Sequence, residues 1–271
     1  MLFANHALAR RLEAIEARGI ADYPAAQSRL NPHAGGTIEP AAGGFAVFAG
    51  LHHPLSKAVG MGLNGPVTAD EMDRLEEFYR SRGAQSAVEL CPLADPSLIE
   101  LLRERGYRLT EFDNVWFREL ASDERLAVEA SDFIVREIRP DEAAMWARTV
   151  AQGFAGSEDD FEQDLKIAAP HFYIPANTLF LALVGDEPVG GGVIYIHDRV
   201  AALFSGSTRP AFLHRGVQTA LLRARIQRGI EAGCELAVIK TSPGTASQRN
   251  VERAGFRLAY TKASFARDFN Y

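Results

Sequence analysis

The chain has 271 residues, of which 47% are hydrophobic and 24% are charged, a balance typical of a globular protein with one large or two smaller domains. Its formal net charge of −6 argues against a protein that coats nucleic acid through a basic stripe, although a local basic pocket for a small anion is compatible with it. Cys91 and Cys234 form neither a disulfide framework nor a metal-ligand pattern, so we expect no metal and a reducing, cytoplasmic setting.

The first half begins with an amphipathic helix. Leu8, Leu12 and Ile15 recur at helical spacing between charged residues, unlike the long apolar run of a signal peptide. No apolar run reaches the roughly 18 residues of a membrane span, so we expect no membrane partner. The patterns that follow predict a loop at 31–44, strands at 45–50 and 57–63, a helix capped by Thr68 with Glu71 at capping-box spacing, a strand at 87–90, a helix from Pro96 to Gly106, and strands at 107–112 and 114–120.

The second half repeats this alternation after a polar, small-residue linker at 121–131. The patterns predict a strand at 133–138, helices at 140–152 and 157–172, a meander of strands at 178–184, 188–197 and 200–208, a long helix ending near Ala232, a strand at 235–240, a short helix at 247–254 and a final strand at 256–265.

The two halves also carry matching segments. ERGYRL at 104–109 and ERAGFRL at 252–258 each follow a Glu-Leu strand and a helix, and the second is one residue longer. Similarity at about half the chain length predicts a duplicated domain rather than a solenoid, because only two copies fit. Chance is the alternative, because the matched segments are short.

The segment FLHRGVQTALL, at 212–222, joins the third strand of the meander to the long helix. The first turn of a helix presents unpaired backbone N–H groups and positive partial charge, and a glycine there lets an anion approach the backbone closely. The Gly-Lys-Ser/Thr ending of a Walker loop and two of the three glycines of a dinucleotide fingerprint are missing. The segment therefore predicts either a phosphate-binding loop of another kind or an ordinary helix cap.

The sequence around this segment, from about residue 133 to residue 265, resembles the GNAT superfamily of acyl-CoA-dependent N-acyltransferases. The signature of that family is Arg/Gln-x-x-Gly-x-Gly/Ala after a strand that ends near a proline. Pro210 holds the proline place and Gly216 the glycine place, whereas Leu213 and Gln218 depart from the signature. Gly255-Phe256 resembles the Gly-Phe that precedes the family's last strands.

The resemblance implies a binding site for acetyl-CoA or CoA as cosubstrate. The backbone at Gly206, Ser207 and Thr208 would pair with the pantetheine arm, and one N–H there would polarise the acyl carbonyl. Ser247 and Asn250 would touch the same arm, although Ser247 is equally interpreted as a helix cap. The pyrophosphate would be held by the backbone of His214, Arg215, Gly216, Val217, Gln218, Thr219 and Ala220.

The catalytic group is not evident. The family's usual tyrosine, an acid for the leaving thiolate, falls at Val251, and the usual asparagine falls at Gly244. Tyr260 is a weak alternative acid. Arg253 is interpreted either as a contact to a CoA phosphate or as a surface charge.

Other polar residues have a functional and a structural interpretation. His171 and Tyr173 either line the acceptor cleft or belong to an ordinary loop, and the acidic run 158–160 either recognises a cationic amine or starts a solvated helix. Arg223, Arg225 and Arg228 are expected to compensate the helix dipole on a solvated face.

The corresponding helix of the first half starts with acidic residues. Asp70, Glu71 and Asp73 stand where a phosphate would dock, so like charge would repel it. We therefore expect a mixed-sheet α/β protein of two tandem GNAT-like domains. The first, 1–121, would be a degenerate domain that does not bind CoA, and the second, 132–271, would be the acyltransferase.

The function implied is transfer of an acyl group, acetyl in the first instance, from acyl-CoA to an amine of a small molecule or peptide by direct attack in a ternary complex. No Gly-x-Ser-x-Gly nucleophile elbow favours a covalent intermediate. The alternatives are a non-catalytic acyl-CoA-binding module, which the missing tyrosine favours, and an acyltransferase for a thiol or hydroxyl. Formation of a homodimer is a further possibility that the sequence leaves open.

Overall fold

The computed structural model describes residues 4–126 and 132–269, so part of the predicted linker, 127–131, lies outside the described residues. The chain divides into two compact units. The first consists of Met1–Trp116, Thr241–Pro243 and Leu258–Tyr271, and the second of Phe117–Lys240 and Gly244–Arg257. No helix in the described ranges is long and apolar enough to cross a membrane.

Most of the described helices and strands follow the predicted order. The helices are α1 (His6–Ala21), α2 (Tyr23–Leu30), α3 (Ala69–Arg80), α4 (Pro96–Glu104), α5 (Ala143–Phe154), α6 (Glu158–Ala168), α7 (Val217–Glu231) and α8 (Ala246–Arg253). The strands are β1 (Thr37–Ala41), β2 (Gly44–Phe48), β3 (Ala58–Val59), β4 (Ser86–Leu90), β5 (Arg108–Glu119), β6 (Ile134–Glu137), β7 (Asn177–Val184), β8 (Glu187–His197), β9 (Val200–Thr208), β10 (Leu236–Thr241) and β11 (Arg257–Arg267).

Three predictions for the first half were wrong. The stretch expected to be a loop contains β1, which pairs with β2 through a turn whose residues Ala42 and Gly43 have positive φ angles of 44° and 85°. The strand expected at 57–63 ends at Val59, because Gly60 adopts φ +72°. The two strands expected at 107–120 are the single strand β5, in which buried Asn114 accepts a hydrogen bond from the Thr261 hydroxyl at 2.7 Å.

The sheet of the first unit runs in the order β1-β2-β3-β4-β11-β5. Strands β1 to β3 form an antiparallel meander, and α3 then connects β3 to the parallel strand β4. Helix α3 begins with the predicted capping box, and its apolar stripe of Met72, Leu75, Phe78 and Tyr79 is buried in the core of this unit.

The sheet of the second unit runs in the order β10-β9-β8-β7-β6. Strands β7 to β9 form an antiparallel meander, and α7 connects β9 to the parallel strand β10. Both units therefore contain a meander, a crossover helix and a parallel strand in the same order, as the duplication predicts. The core of the second unit gathers around Trp146, which is fully buried and donates from Nε1 to the Phe180 carbonyl at 3.1 Å.

The last strand belongs to a different unit from the one expected. The predicted boundary placed residues 132–271 together, whereas Leu258–Tyr271 groups with the first unit. There β11 pairs antiparallel with β4, from Ala263 opposite Leu90 to Arg267 opposite Ser86. An alternating pattern predicts a strand without specifying its partner, so the sequence did not indicate this pairing.

A buried ion network connects both ends of the chain inside the first unit. Lys262 on β11 is 1% exposed, and its Nζ lies 2.9 Å from Glu13, 2.8 Å from Glu16 and 2.8 Å from Glu89. Lys57 adds a second cation, 2.6 Å from Glu89. Burial alone lowers the pKa of Lys262, but the three carboxylates hold that pKa well above its ordinary value. Lys262 is thus the shared counter-charge of the three carboxylates, and the fully buried Glu13 depends on it most.

Replacing Lys262 with methionine should therefore lower the free energy of unfolding by about 3–5 kcal/mol, the cost of breaking a buried ion pair from one side. Urea unfolding measures the change. The exposed Lys166 offers a control of the same chemistry, and its replacement by methionine should change stability by about 0.5 kcal/mol or less. A loss below about 1 kcal/mol for Lys262→Met would show that the network contributes little.

Candidate functional site

The loop between β9 and α7 has an unusual backbone. A 3-10 turn at Pro210–Phe212 is followed by His214 with φ +62° and Gly216 with φ +84°, both left-handed. Gly216 is the N-cap of α7, and it supplies no side-chain cap to the helix. The first turn of α7 contains no acidic residue. Left-handed residues at such a junction turn backbone N–H groups toward one concave surface, which suits an anion.

The donors of this loop are open to a ligand. The hydrogen bonds of the described residues include no backbone carbonyl that accepts from the N–H groups of His214 to Thr219. The Ala220 N–H is an exception among the predicted contributors, because it donates to the Gly216 carbonyl at 3.1 Å. Unpaired donors and the positive end of the helix dipole are together features that suit an anion such as a phosphate.

Strand β9 separates from β10 beside this loop. The two strands pair from Val200 opposite Leu236 to Leu203 opposite Ile239, whereas β9 continues to Thr208. Residues 204–208 therefore extend beyond the paired region along one edge of β9. An extended ligand chain can hydrogen-bond to such an edge through its amides.

The other edge of β9 carries a β-bulge. Gly191 lies opposite Ser207 and Val193 lies opposite Phe204, so two residues of β9 face the single residue Gly192 of β8. The two are Ser205, with φ +49°, and Gly206. A bulge re-aims the backbone locally and is common next to active sites.

Arg225 of α7 lies directly behind this bulge. It is 2% exposed, and its guanidinium donates to the carbonyls of Leu221 at 3.0 Å, Val193 at 3.2 Å and Phe204 at 3.1 Å. A Cβ atom built on Gly192 would come within 2.8 Å of this guanidinium, and one on Gly206 within 3.0 Å. Burial lowers the pKa of Arg225 to about 10. The expectation that Arg225 sits on a solvated face was wrong, because the glycines of β8 and β9 make room for it.

The predicted side chains at the end of β9 are already engaged. Ser207 donates from Oγ to the Val150 carbonyl at 2.9 Å, and Thr208 Oγ1 accepts from the Gln218 amide at 3.0 Å. Gln218, which departs from the family signature, thus connects the start of α7 to β9. These contacts hold the two side chains in place, so the backbone of this strand end is the part most readily offered to a ligand.

His171 is brought to the bulge by the 3-10 turn Ala169–Tyr173. Its ring is 6% exposed and packs 5.2 Å from the Phe204 ring and 6.4 Å from the Trp146 ring, measured between centroids. Its Nε2 lies 3.4 Å from Ser205 Oγ. Sequence reasoning named His171 but not Ser205, because nothing in the sequence indicates where a strand will bulge.

Helix α8 starts one residue earlier than predicted. Thr245 is its N-cap and accepts from the Gln248 N–H at 3.3 Å, so the interpretation of Ser247 as the cap was wrong. Ser247 is exposed and Asn250 half-buried on this helix, while Val251, at the place of the family's tyrosine, is 1% exposed in the core.

Tyr260 does not belong to this group. It lies in the first unit, is 7% exposed and donates from its hydroxyl to Glu13 Oε1 at 2.7 Å. Burial and the neighbouring Glu13 raise the pKa of Tyr260 well above its ordinary value. A phenol with this environment holds its proton, so the structure gives Tyr260 a structural role.

The corresponding helix start in the first unit is capped by its own side chains. Thr68 Oγ1 accepts from the Glu71 N–H at 3.3 Å, and Glu71 Oε2 accepts from the Thr68 N–H at 2.8 Å. Asp70 adds a second negative charge in the first turn of α3. The acidic start of α6 is likewise a capped and exposed helix end, with Ser157 accepting from the Asp160 N–H at 3.2 Å.

No curated protein matches the chain by sequence. The model of the Acetyltransferase (GNAT) family matches residues 140–256, which contain the loop, the bulge and α8.

Solved structures share the fold at low identity. A GCN5-related N-acetyltransferase from Kribbella flavida is 17% identical with a TM-score of 0.67, over 95% of this chain and 97% of that chain. Another from Sphaerobacter thermophilus is 19% identical with a TM-score of 0.57, over 96% and 93%. A tandem GNAT protein from the clavulanic acid biosynthesis pathway is 14% identical with a TM-score of 0.57, over 86% and 78%. The mixed α/β fold predicted from the sequence is thus confirmed.

Replacing Arg225 with methionine should remove three hydrogen bonds from buried carbonyls while keeping the volume filled. Each hydrogen bond from a charged donor contributes about 1.5–3 kcal/mol, offset in part because a charge no longer has to be buried, so we expect a net loss of about 2–3 kcal/mol in the free energy of unfolding. Denaturant unfolding measures it. Arg228→Met is the control on the same helix, since its half-exposed pair with Glu137 should contribute about 1 kcal/mol or less. An unchanged Arg225→Met protein would contradict the assigned role.

Proposed function

We propose that this chain transfers an acetyl group from acetyl-CoA to an amine of a small molecule or peptide, because residues 140–256 match the model of the GNAT acetyltransferase family, whose members use acetyl-CoA as cosubstrate. The observation that carries the proposal is the start of α7. There a left-handed Gly216 opens a first turn without acidic side chains next to the edge of β9 that β10 leaves unpaired.

The loop fits the cosubstrate through its backbone. The N–H groups of His214 to Thr219 would take the pyrophosphate, and a Cβ on Gly216 would meet nothing closer than 4.0 Å, so the loop is open rather than packed. The unpaired edge at residues 204–208 would take the pantetheine amides. An N–H of the bulge at Gly206 would then polarise the thioester carbonyl, which develops negative charge as the amine attacks.

The reaction itself needs one proton acceptor and one proton donor. The amine nitrogen forms a bond to the acyl carbon, the carbon–sulfur bond breaks, and the amine loses a proton while the thiolate gains one. Ser205 and His171 are the pair of polar side chains at the bulge, and we infer that His171 accepts the amine proton through the Ser205 hydroxyl. Val251 stands at the place of the family's usual tyrosine and has no proton to donate, so we infer that a water molecule donates the proton to the leaving thiolate.

Two other functions are compatible with the same loop. A non-catalytic acyl-CoA-binding module would use the same backbone donors, and the buried Val251 favours it. An acyltransferase for a thiol or hydroxyl would use the same bulge. In each case the first unit, whose α3 starts with acidic residues, would serve as a structural partner that binds no CoA. We also expect the protein to be located in the cytoplasm.

The loop is tested by two substitutions with different physical effects. Gly216→Val forces a β-branched residue into φ +84°, and Gln218→Glu adds a negative charge to the first turn while leaving a group that can still bond Thr208. We expect CoA binding to be lost in the first and weakened by at least about tenfold in the second, measured by calorimetry on the full chain.

Gln85→Glu, an exposed and isosteric change in the first unit, is the matched control and should leave the CoA affinity unchanged. The glutamate at position 218 favours the helix start, so weaker binding by that variant would not reflect unfolding. Unchanged affinity in both loop variants would mean that the loop does not hold CoA.

The proton path is tested by His171→Asn and Ser205→Ala. Loss of a general base should lower kcat by about 100-fold without changing the KM for acetyl-CoA, and the loss should shrink at high pH, where the amine is already neutral. His197→Asn, the same change at an exposed histidine, is the control. Steady-state kinetics with a panel of amines, thiols and alcohols measures all three variants. Turnover of no acceptor, together with tight CoA binding, would favour the binding module instead.

A further inference from the structure

The second unit contains a cavity of about 320 Å³ beside α7 that the reaction does not use. Its walls bring together Arg118 of β5, Arg125, Arg223 of α7 and Arg253 of α8, with the apolar side chains of Leu126 and Ile226. The described residues that line it include no acidic side chain. Such a concentration of cations is notable in a chain whose net charge is −6.

Structural contacts hold members of this cluster in place. Arg253 lies in the last turn of α8, where a cation compensates the helix dipole. Arg118 pairs with Glu124, and Arg125 donates to the Glu124 carbonyl at 2.8 Å. Both terminal nitrogens of Arg118 donate to Glu124, so these contacts fix the Arg118 and Arg125 side chains at the cavity that Arg223, from the middle of α7, also lines.

Gly255 packs closely against the Arg118 side chain in the cavity wall. Its φ is +81°, and a Cβ atom there would lie 3.3 Å from Nε of Arg118. The glycine therefore lets the Arg118 side chain lie against the end of α8. The arrangement depends on the backbone at this position as well as on the charges.

Guanidinium groups match the oxygens of a phosphate in a planar, bidentate geometry, and several of them suit a doubly charged phosphomonoester better than a carboxylate. The two apolar side chains suit the organic part of such a molecule. A cavity of about 320 Å³ is at the small end of the range for ligand pockets. We propose that this arginine cavity binds a phosphomonoester group.

Two sources can supply that group. Arg223 follows Val217 by six residues, so along α7 it is about 9 Å from the start of the helix, and it shares a face with Thr219. One source is therefore the 3′-phosphate of the same CoA molecule, and this source rests on the proposed function. The other is a separate phosphorylated small molecule, which does not require CoA at the loop.

The experiment uses the full chain and three probes: CoA, dephospho-CoA and inorganic phosphate. Arg223→Gln, Arg253→Gln and the double variant test the cavity, and Arg103→Gln, an exposed arginine of the first unit, is the control for the lost charge. Inorganic phosphate is titrated in the Gly216→Val background, so that its signal comes from the cavity and not from the loop. Calorimetry and ligand-observed NMR measure the dissociation constants.

If the group is the 3′-phosphate, the unaltered protein binds CoA at least about tenfold more tightly than dephospho-CoA, and the double variant loses this preference while keeping its affinity for dephospho-CoA. If the group belongs to another molecule, CoA and dephospho-CoA bind equally, and inorganic phosphate binds the Gly216→Val protein but not its double-arginine derivative. Either result supports the cavity. Equal behaviour of the double variant and the Arg103→Gln control with all three probes would overturn it.

Failure of the proposed function gives a different pattern. Dephospho-CoA reports on the loop alone, so its failure to bind the unaltered protein would count against the loop. Arginine-dependent binding of inorganic phosphate would still support the cavity in that case.

Discussion

The hydrogen bonds of Arg225 are the interaction on which the candidate site depends. One guanidinium holds carbonyls of β8, β9 and α7 at the point where β9 bulges. Glycines 192 and 206 are required there, because a side chain at either position would occupy the space of the guanidinium. The bulge in turn places Ser205 next to His171 and leaves the backbone beyond it free of β10. A buried cation is costly in general, and here carbonyl oxygens from three elements compensate it.

The two units show how one topology can carry opposite electrostatic properties. Each has a meander, a crossover helix and a parallel strand, and in each the crossover helix starts at the same place in the order. Helix α3 satisfies its first donors with Thr68 and Glu71, whereas α7 begins at a glycine without a side-chain cap. The difference lies in a few side chains of one helical turn, which give one helix an acidic, side-chain-capped start and leave the other with an uncapped start free of acidic residues.

The charge distribution of the second unit also bears on what it binds. Backbone donors at the start of α7 suit a pyrophosphate without any side-chain charge, which explains how Arg215 can be exposed and paired loosely with Asp132 at 3.9 Å. The arginine cavity instead concentrates side-chain charge further along the same helix. The two features use different chemistry for anions, one through dipoles and the other through guanidinium groups.

The sequence by itself determined most of the order of helices and strands, the capping box of α3, the loop at Gly216 and its resemblance to acyltransferases, because all of these depend on local patterns or on neighbouring residues. Burial of Arg225, the contact between Ser205 and His171, the structural role of Tyr260 and the pairing of β11 with β4 were decided only by the tertiary structure. Each of them joins residues far apart in the chain: Arg225 and Val193 are separated by 32 positions, and Tyr260 and Glu13 by 247. Periodicity shows which face of an element is apolar, but not which distant polar group will meet it.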